Sequence, residues 1–420
     1  SLAFHSSKIL FRSSKISLYS TATSEKIQDL QFPLGRIAFS LLPFSPESAG
    51  RRKTILTTII SDKIWTLDQV QGVLHVNVPV RCTIIALKAG GLFINNPVAP
   101  TKEAIDYIRD LEKRFGAVKY LVLSSLAVEH KGTIGAASSY FPSAEIFVQP
   151  GQYSFPLNLP ISFFFPVFRK IQEIPEEASQ APWYDEIDHL SIGPLKPKKS
   201  SGGYGETAFF HRDTQSLLVT DSLIRVEDNP PAILQDDPRS LLYHARDSQL
   251  DTVTDTPEIR RKGWRRISLF ALVFQPSGIR VNELSDSIAL LKQENPEMRK
   301  LGRGVIPIDE GLYPWDWVED EKTSFRALQR KDKGGLLVPP ILQQLIFNRE
   351  PDTVLDWVEN ICKWKFKRII PCHFANNIVA SPADVRRAYE FLFSSSKAKA
   401  TTNFFSFFEK VTPEEKVFEK

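Results

Sequence analysis

Residues 121–135 read LVLSSLAVEHKGTIG. Leu121 to Leu123 is an apolar run of the kind that forms a buried strand. Small polar residues follow, and then Glu129 and His130 stand side by side before two glycines. The pattern is a strand feeding a loop that carries a carboxylate and an imidazole. Sheet proteins place functional groups just past the C-terminal ends of strands, where the strand fixes the backbone and the loop presents the side chain. The arrangement recurs twice. A strand at Leu217–Thr220 is followed by Asp221, and a strand at Arg368–Ile370 is followed shortly by His373. Glu129, His130, Asp221 and His373 are therefore the candidate metal ligands. A set of two carboxylates and two imidazoles suits Zn²⁺ or Fe²⁺. The competing reading is a metal-free hydrogen-bonded set, with Glu129 paired to Lys131 or an arginine and His130 paired to Asp221.

Outward from this stretch the chain reads as a layered α/β protein. Upstream, Trp65–Leu67, Val73–Val78, Thr83–Leu87 and Leu92–Ile94 read as strands separated by turns, Gly90-Gly91 among them. Thr101 is a fitting N-cap for a helix with Ala104, Ile105, Ile108 and Leu111 on one stripe, closed by Gly116. Tyr120–Leu123 is the next strand, residues 133–141 a helix, and Glu145–Val148 a strand. Thr207–His211 and Ser216–Thr220 form a hairpin turning at 212–215. Residues 226–262 are a polar, proline-containing excursion. Helices are expected near 263–274, 280–293, 336–347 and 353–364, and from Pro382 to Phe393. These elements set the domain limits: 1–24 a targeting or disordered segment, 25–61 a lead-in, 62–393 the folded domain with 226–335 as its variable part, and 394–420 a tail. That tail carries Phe404, Phe405, Phe407 and Phe408.

Composition excludes several classes of function. The net charge of +4 over 420 residues is mild. Short basic runs such as Lys196–Lys199 and Arg260–Arg266 read as solvated faces, not a nucleic-acid surface. Three cysteines, Cys82, Cys362 and Cys372, with no CxxC pair, exclude a disulfide framework and a cysteine zinc site. No run is long and apolar enough for a transmembrane helix. The nearest, Phe155–Phe168, is short and interrupted by prolines, and is expected to fold onto the core. Residues 1–24 contain Lys8, Arg12 and Lys15, many serines and no acid, the composition of an organellar transit segment. The chain does not begin with Met, and its single Met is Met298, so a fragment or processed form is expected. There is no GxGxxG, P-loop, GxSxG or HExxH signature. The charged cluster of Asp236, Asp237, His244, Arg246, Asp247 and Arg260–Arg266 is either a lid or anion site, or a salt-bridged surface. Trp315 and Trp317 are expected in the core.

The series WTLDQVQG (65–72), GGLFINNPVAPT (90–101), EHKGTIG (129–135), GETAFFHRDTQSLLVTDSLI (205–224), RKGWRRI (261–267) and IIPCHF (369–374) resembles an uncharacterised domain-of-unknown-function family of plants, algae and cyanobacteria. The resemblance runs over roughly residues 62–393 and implies a metallo-β-lactamase-like, four-layer αββα sandwich with its site at one edge. It carries no assigned reaction. Laid on the superfamily's His-x-His-x-Asp-His motif, Ser125 and Ala127 take the places of the first two histidines, Glu129 that of the Asp and His130 that of the last His. Gly202 or Glu206 stands where the pre-hairpin histidine would be. Asp221 matches the bridging Asp and His373 the final His. The resemblance thus implies that one metal position is lost, while the other keeps a counterpart for every ligand. Together with the composition of residues 1–24, it implies a soluble plastid protein, with a mitochondrial setting as the alternative. The protein is expected to hold one Zn or Fe ion or none, and its partner is an unidentified small molecule or protein. If it is an enzyme, it is a single-metal hydrolase or related lyase, with Asp221 orienting the attacking water. The alternative is a catalytically inactive binding or assembly factor on the same fold, with an iron redox role as a third option.

Overall fold

The computed structural model describes residues 53–73, 75–152, 160–165, 169–195, 203–273, 276–302 and 311–394. Seven strands form the first sheet in chain order: β1 (Ile55–Ile60), β2 (Ile64–Val73), β3 (Val76–Ala86), β4 (Leu92–Asn95), β5 (Val118–Leu123), β6 (Glu145–Val148) and β7 (Ile171–Glu173). β1 to β4 are an antiparallel meander, and β4 to β7 run parallel. Parallel neighbours need a crossover, which α1 (Lys102–Phe115) and α2 (Val128–Ser138) supply after β4 and β5. As its sequence predicts, α1 is capped by the Thr101 side chain, which accepts from Ala104 N at 3.2 Å, and it ends at Gly116 with φ 95°.

The second sheet has the order β14-β13-β10-β9-β8, from β8 (Ile187–Leu195), β9 (Tyr204–His211), β10 (Ser216–Val219), β13 (Arg368–Pro371) and β14 (Ile378–Val379). β10 and β13 are parallel neighbours, so their C-terminal ends lie together. β11 (Ile279–Val281) and β12 (Trp315–Trp317) pair separately.

Alternation along the strands builds the layers. Val122 of β5 faces inward with Ile85, Phe93 and Phe147. There it meets Phe209, Leu218 and Ile370 of the second sheet, and Trp183 fills the space between. Its neighbours Leu121 and Leu123 face outward onto Ala104, Ile108 and Leu111 of α1 and Ile134 of α2. On the far side, Leu217, Val219 and Ile369 pack against Val354, Trp357 and Ile361 of α10 (Pro351–Ile361) and Val385 of α11 (Pro382–Ala388). The order helix, sheet, sheet, helix is the αββα sandwich that the resemblance implies.

The excursion is helical. α3 (Ala232–Asp236), α4 (Arg239–Ala245), α5 (Pro257–Val273), α6 (Leu284–Leu291), α7 (Pro296–Leu301), α8 (Glu321–Gln329) and α9 (Pro340–Leu345) precede α10, and α12 (Phe391–Ser394) follows α11. Residues of α4, α5 and α8 share an apolar cluster with Tyr313, Trp315, Trp317 and Phe374.

Several sequence expectations need correction. The lead-in 25–61 contains β1, and the expected strand at 73–78 is divided between the end of β2 at Val73 and the start of β3 at Val76, with His75 at φ 60°. Residues 336–347 are helical only from Pro340, because each residue before a proline is steered toward extended backbone. α5 begins at Pro257, where Thr256 Oγ1 accepts from Ile259 N at 3.2 Å. The helix expected over 382–393 is broken between α11 and α12. The targeting segment 1–24, most of Phe155–Phe168, the Lys196–Lys199 run, Gly202 and the tail after Ser394 lie outside the described residues.

Candidate metal centre

The two sheets meet where β5 ends. Ser124-Ser125-Leu126 stays extended and pairs with β9: Thr207 N donates to Ser124 O at 2.8 Å and Leu126 N to Gly205 O at 3.0 Å. Asn96, fully buried with φ 48°, binds the strand ends together. Its Nδ2 lies 2.8 Å from Ser124 Oγ, 3.2 Å from Thr220 Oγ1 and 3.3 Å from Cys372 Sγ, and its Oδ1 accepts from Ser124 N. One amide group thus shares its two hydrogens among the ends of β5, β10 and β13. That convergence brings Glu129, His130, Asp221 and His373 to one point.

Glu129 and His130 lie in the first turn of α2, not in a loop ahead of a helix at 133. α2 is buried almost all round, from His130 to Ser138. A Cβ on Gly135 would stand 1.6 Å from Phe164 O, so only glycine lets the helix press this close to the 161–164 turn. Asp221 is held through its backbone. Glu206, fully buried, accepts from Thr220 N (2.9 Å), Asp221 N (2.8 Å), Ser222 N (3.0 Å), Ser222 Oγ (2.7 Å) and Tyr204 OH (2.6 Å). With five donors on its two oxygens, this carboxylate is saturated and has no capacity left for a metal. His373 Nδ1 stands 2.8 Å from Pro79 O. A carbonyl only accepts, so Nδ1 carries the hydrogen.

The four side chains each offer one donor atom, and these atoms all lie within 4.8 Å of one another. Donors of a tetrahedral zinc site, with bonds of about 2.1 Å, stand about 3.4 Å apart. His373 Nε2 and Asp221 Oδ1, at 3.2 Å, already have that spacing. The rings of His130 and His373 are 5.3 Å apart. His130 Nε2 is buried and has no hydrogen-bond partner among the described residues. Burial and the neighbouring His373 push its pKa down to about 3, so it is a neutral donor at physiological pH. Burial also lowers the affinity of His373 for a proton, but its bond to Asp221, the charges of Asp221 and Glu129 and the Pro79 carbonyl outweigh burial and raise its pKa. Burial and the Asp221 charge raise the Glu129 carboxyl, against the pull of His373. Burial pushes Asp221 up as well, yet the hydrogen bond and charge of His373, with help from His130 and Ser125, hold it below the usual carboxylate range. With Nδ1–H given to Pro79, a neutral His373 turns a lone pair on the Asp221 carboxylate. The pair needs a cation between or upon it, either a proton or a metal ion. The donor set and its spacing therefore fit one divalent ion.

The other sequence candidates take different places. Ser125, where the motif's first histidine would stand, hydrogen-bonds to Asp221, and its Oγ accepts from Ala127 N at 3.0 Å. Cys372 is buried against Asn96, and burial pushes its thiol up to about 12, which makes it inert. The charged cluster of the excursion is salt-bridged. Arg246 pairs with Glu294, Arg266 with Asp247 at 2.5 Å and Arg265 with Glu321 at 2.7 Å. Trp315 and Trp317 are buried as expected. The supporting roles of Asn96 and Glu206 are not visible in the sequence, because their partners lie far along the chain.

The family model described as Domain of unknown function (DUF4336) matches residues 61–391. The chain belongs to this family. Its layers form an αββα sandwich with the candidate site at one edge. No curated protein matches the chain. Among solved structures, a metal-soaked flavodiiron core from Synechocystis sp. is similar at 10% identity and a TM-score of 0.38, over 83% of this chain and 63% of that one. A flavo di-iron protein variant from Thermotoga maritima matches at 9% identity and a TM-score of 0.41, over 83% and 64%. A metallo-beta-lactamase from Pontibacter korlensis matches at 12% identity and a TM-score of 0.30, over 42% and 76%. The chain thus spans less than two thirds of the length of the flavodiiron core.

Proposed function

We propose that this protein is a hydrolase working through one divalent zinc or iron ion held by Glu129, His130, Asp221 and His373. The observation that carries the reading is His130: its buried Nε2 has no hydrogen-bond partner among the described residues, and its ring offers a donor atom within 4.8 Å of three further donors. Leaving such a group without a partner costs about 1–3 kcal/mol, and an ion removes that cost. When bound, a divalent ion acidifies water and polarises a carbonyl or phosphoryl oxygen. The chain supplies the geometry. Pro79 fixes the His373 tautomer, Glu206 fixes the backbone at Asp221, and Asp221 accepts a hydrogen bond from the attacking water and orients it. A two-ion mechanism lacks its ligands, since Ser125 and Ala127 stand in for histidines and Glu206 is saturated.

That same saturation supports the second reading, an inactive binding or assembly factor on the same fold. Hydrolysis of nitrophenyl esters and bis-nitrophenyl phosphate separates the two. The enzyme reading expects turnover by zinc- or iron-loaded protein that chelator removes and that His130→Ala lacks. Metal uptake without turnover of any ester or phosphodiester favours the binding factor.

A further inference from the structure

The loop that presents His373 belongs to the second sheet but is held by the first. Arg81, on β3, is almost fully buried. Its Nε and Nη2 grip both oxygens of Asp68 on β2, at 2.7 and 3.0 Å. Its remaining hydrogens go to three main-chain carbonyls that bracket His373: Nη1 to Pro371 O (2.7 Å) and Ala375 O (3.3 Å), and Nη2 to Phe374 O (3.0 Å). Two residues earlier on the same strand, Pro79 O accepts from His373 Nδ1. β3 therefore sets both the backbone on either side of His373 and the orientation of its ring.

The loop needs such a hold. Phe374 has φ 57°, a left-handed conformation unfavourable for a bulky residue. Its ring is fixed from the other side by Trp264 of α5, 5.7 Å away. Only a planar guanidinium can reach three carbonyls and a bidentate carboxylate at once. Lysine offers three hydrogens at a single point.

We propose that Arg81 is a positioning residue for the metal centre. Anchored by Asp68, its fork fixes loop 371–375 so that His373 Nε2 meets the other three donors, and this sets how tightly the centre holds its ion. The inference rests on the reading of Glu129, His130, Asp221 and His373 as ligands. Partners that orient a ligand typically change metal affinity 10- to 100-fold when removed.

The test uses the full chain, Arg81→Lys, and as a control Arg386→Lys, whose pair with Glu359 is on the surface. Co²⁺ is titrated in and its visible d–d absorption followed. The expected result is a folded Arg81→Lys protein with affinity lower by roughly 10- to 100-fold and a changed band shape, while the control matches wild type. An Arg81→Lys protein that melts earlier but keeps wild-type affinity and spectrum has a merely structural arginine, which overturns the inference. Should Arg81→Lys fail to fold, Asp68→Asn loosens the same fork and carries the same two outcomes. Wild-type protein that takes up no Co²⁺ refutes the metal reading itself. The role of Arg81 is then decided by the ¹⁵N–¹H signature of His373. Loss of its Nδ1-protonated form in Arg81→Lys supports that role, and retention overturns it.

Discussion

At the level of single residues, the candidate metal centre is held by side chains outside its four proposed ligands. Glu206 accepts from the backbone of Thr220, Asp221 and Ser222 at once. Glu206→Gln turns an acceptor into an N–H that faces N–H donors. It should cost about 1–3 kcal/mol in urea unfolding, and a variant of wild-type stability would contradict the assigned network. The four candidate ligands are legible in the sequence because each follows a strand whose apolar run is plain, at Leu121–Leu123, Leu217–Val219 and Ile369-Ile370. Glu206, Asn96 and Arg81 are not. A glutamate inside a strand reads as an exposed position, and Arg81 reaches partners about 290 residues away, a separation over which local pattern is silent.

Among the elements, α2 is the one whose start the sequence hides. It opens at Ala127 with no capping side chain and has no apolar stripe, since it is buried on nearly every side. The sequence places its start at 133 and reads Glu129 and His130 as loop residues. Small residues such as Gly135, Ala136 and Ala137 are there because the helix is wedged between the sheet and the 161–164 turn. α1, with Thr101 and a one-sided stripe, is the opposite case and is plain in the sequence. Gly135→Ala forces a methyl against Phe164 O, and the neighbours must yield. The expected loss is about 1–3 kcal/mol, read by urea unfolding, together with weaker metal uptake as Glu129 and His130 shift. Unchanged stability would show that α2 does not press on that turn.

Across the molecule as a whole, burial lowers the pKa of two histidines away from the candidate metal centre, His189 and His211. His189 Nε2 donates to Pro175 O at 2.7 Å, and its Nδ1 accepts from the Trp183 indole at 3.4 Å. Burial lowers its pKa, against the Pro175 carbonyl, and burial lowers that of His211 against Glu186. The unfolded chain protonates first as pH falls below about 6.5. These groups therefore contribute stability that is complete above that pH and lost below it. The raised pKa of His373 works in the opposite direction, so the test is a difference: between about pH 7.5 and about pH 5.5 the urea midpoint of wild type should lose more, or gain less, than that of His189→Gln. The same pH dependence in both proteins would contradict the assignment.

Function turns on whether the edge where the sheets meet holds one metal ion. Elemental mass spectrometry answers this, on protein purified without an affinity metal, beside a His130→Ala, Asp221→Ala double variant that remains folded by circular dichroism. The wild type should carry about one equivalent of zinc or iron, and the variant none. No metal in the wild type, or equal metal in both, would contradict the assignment and leave Glu129, His130, Asp221 and His373 as a hydrogen-bonded set.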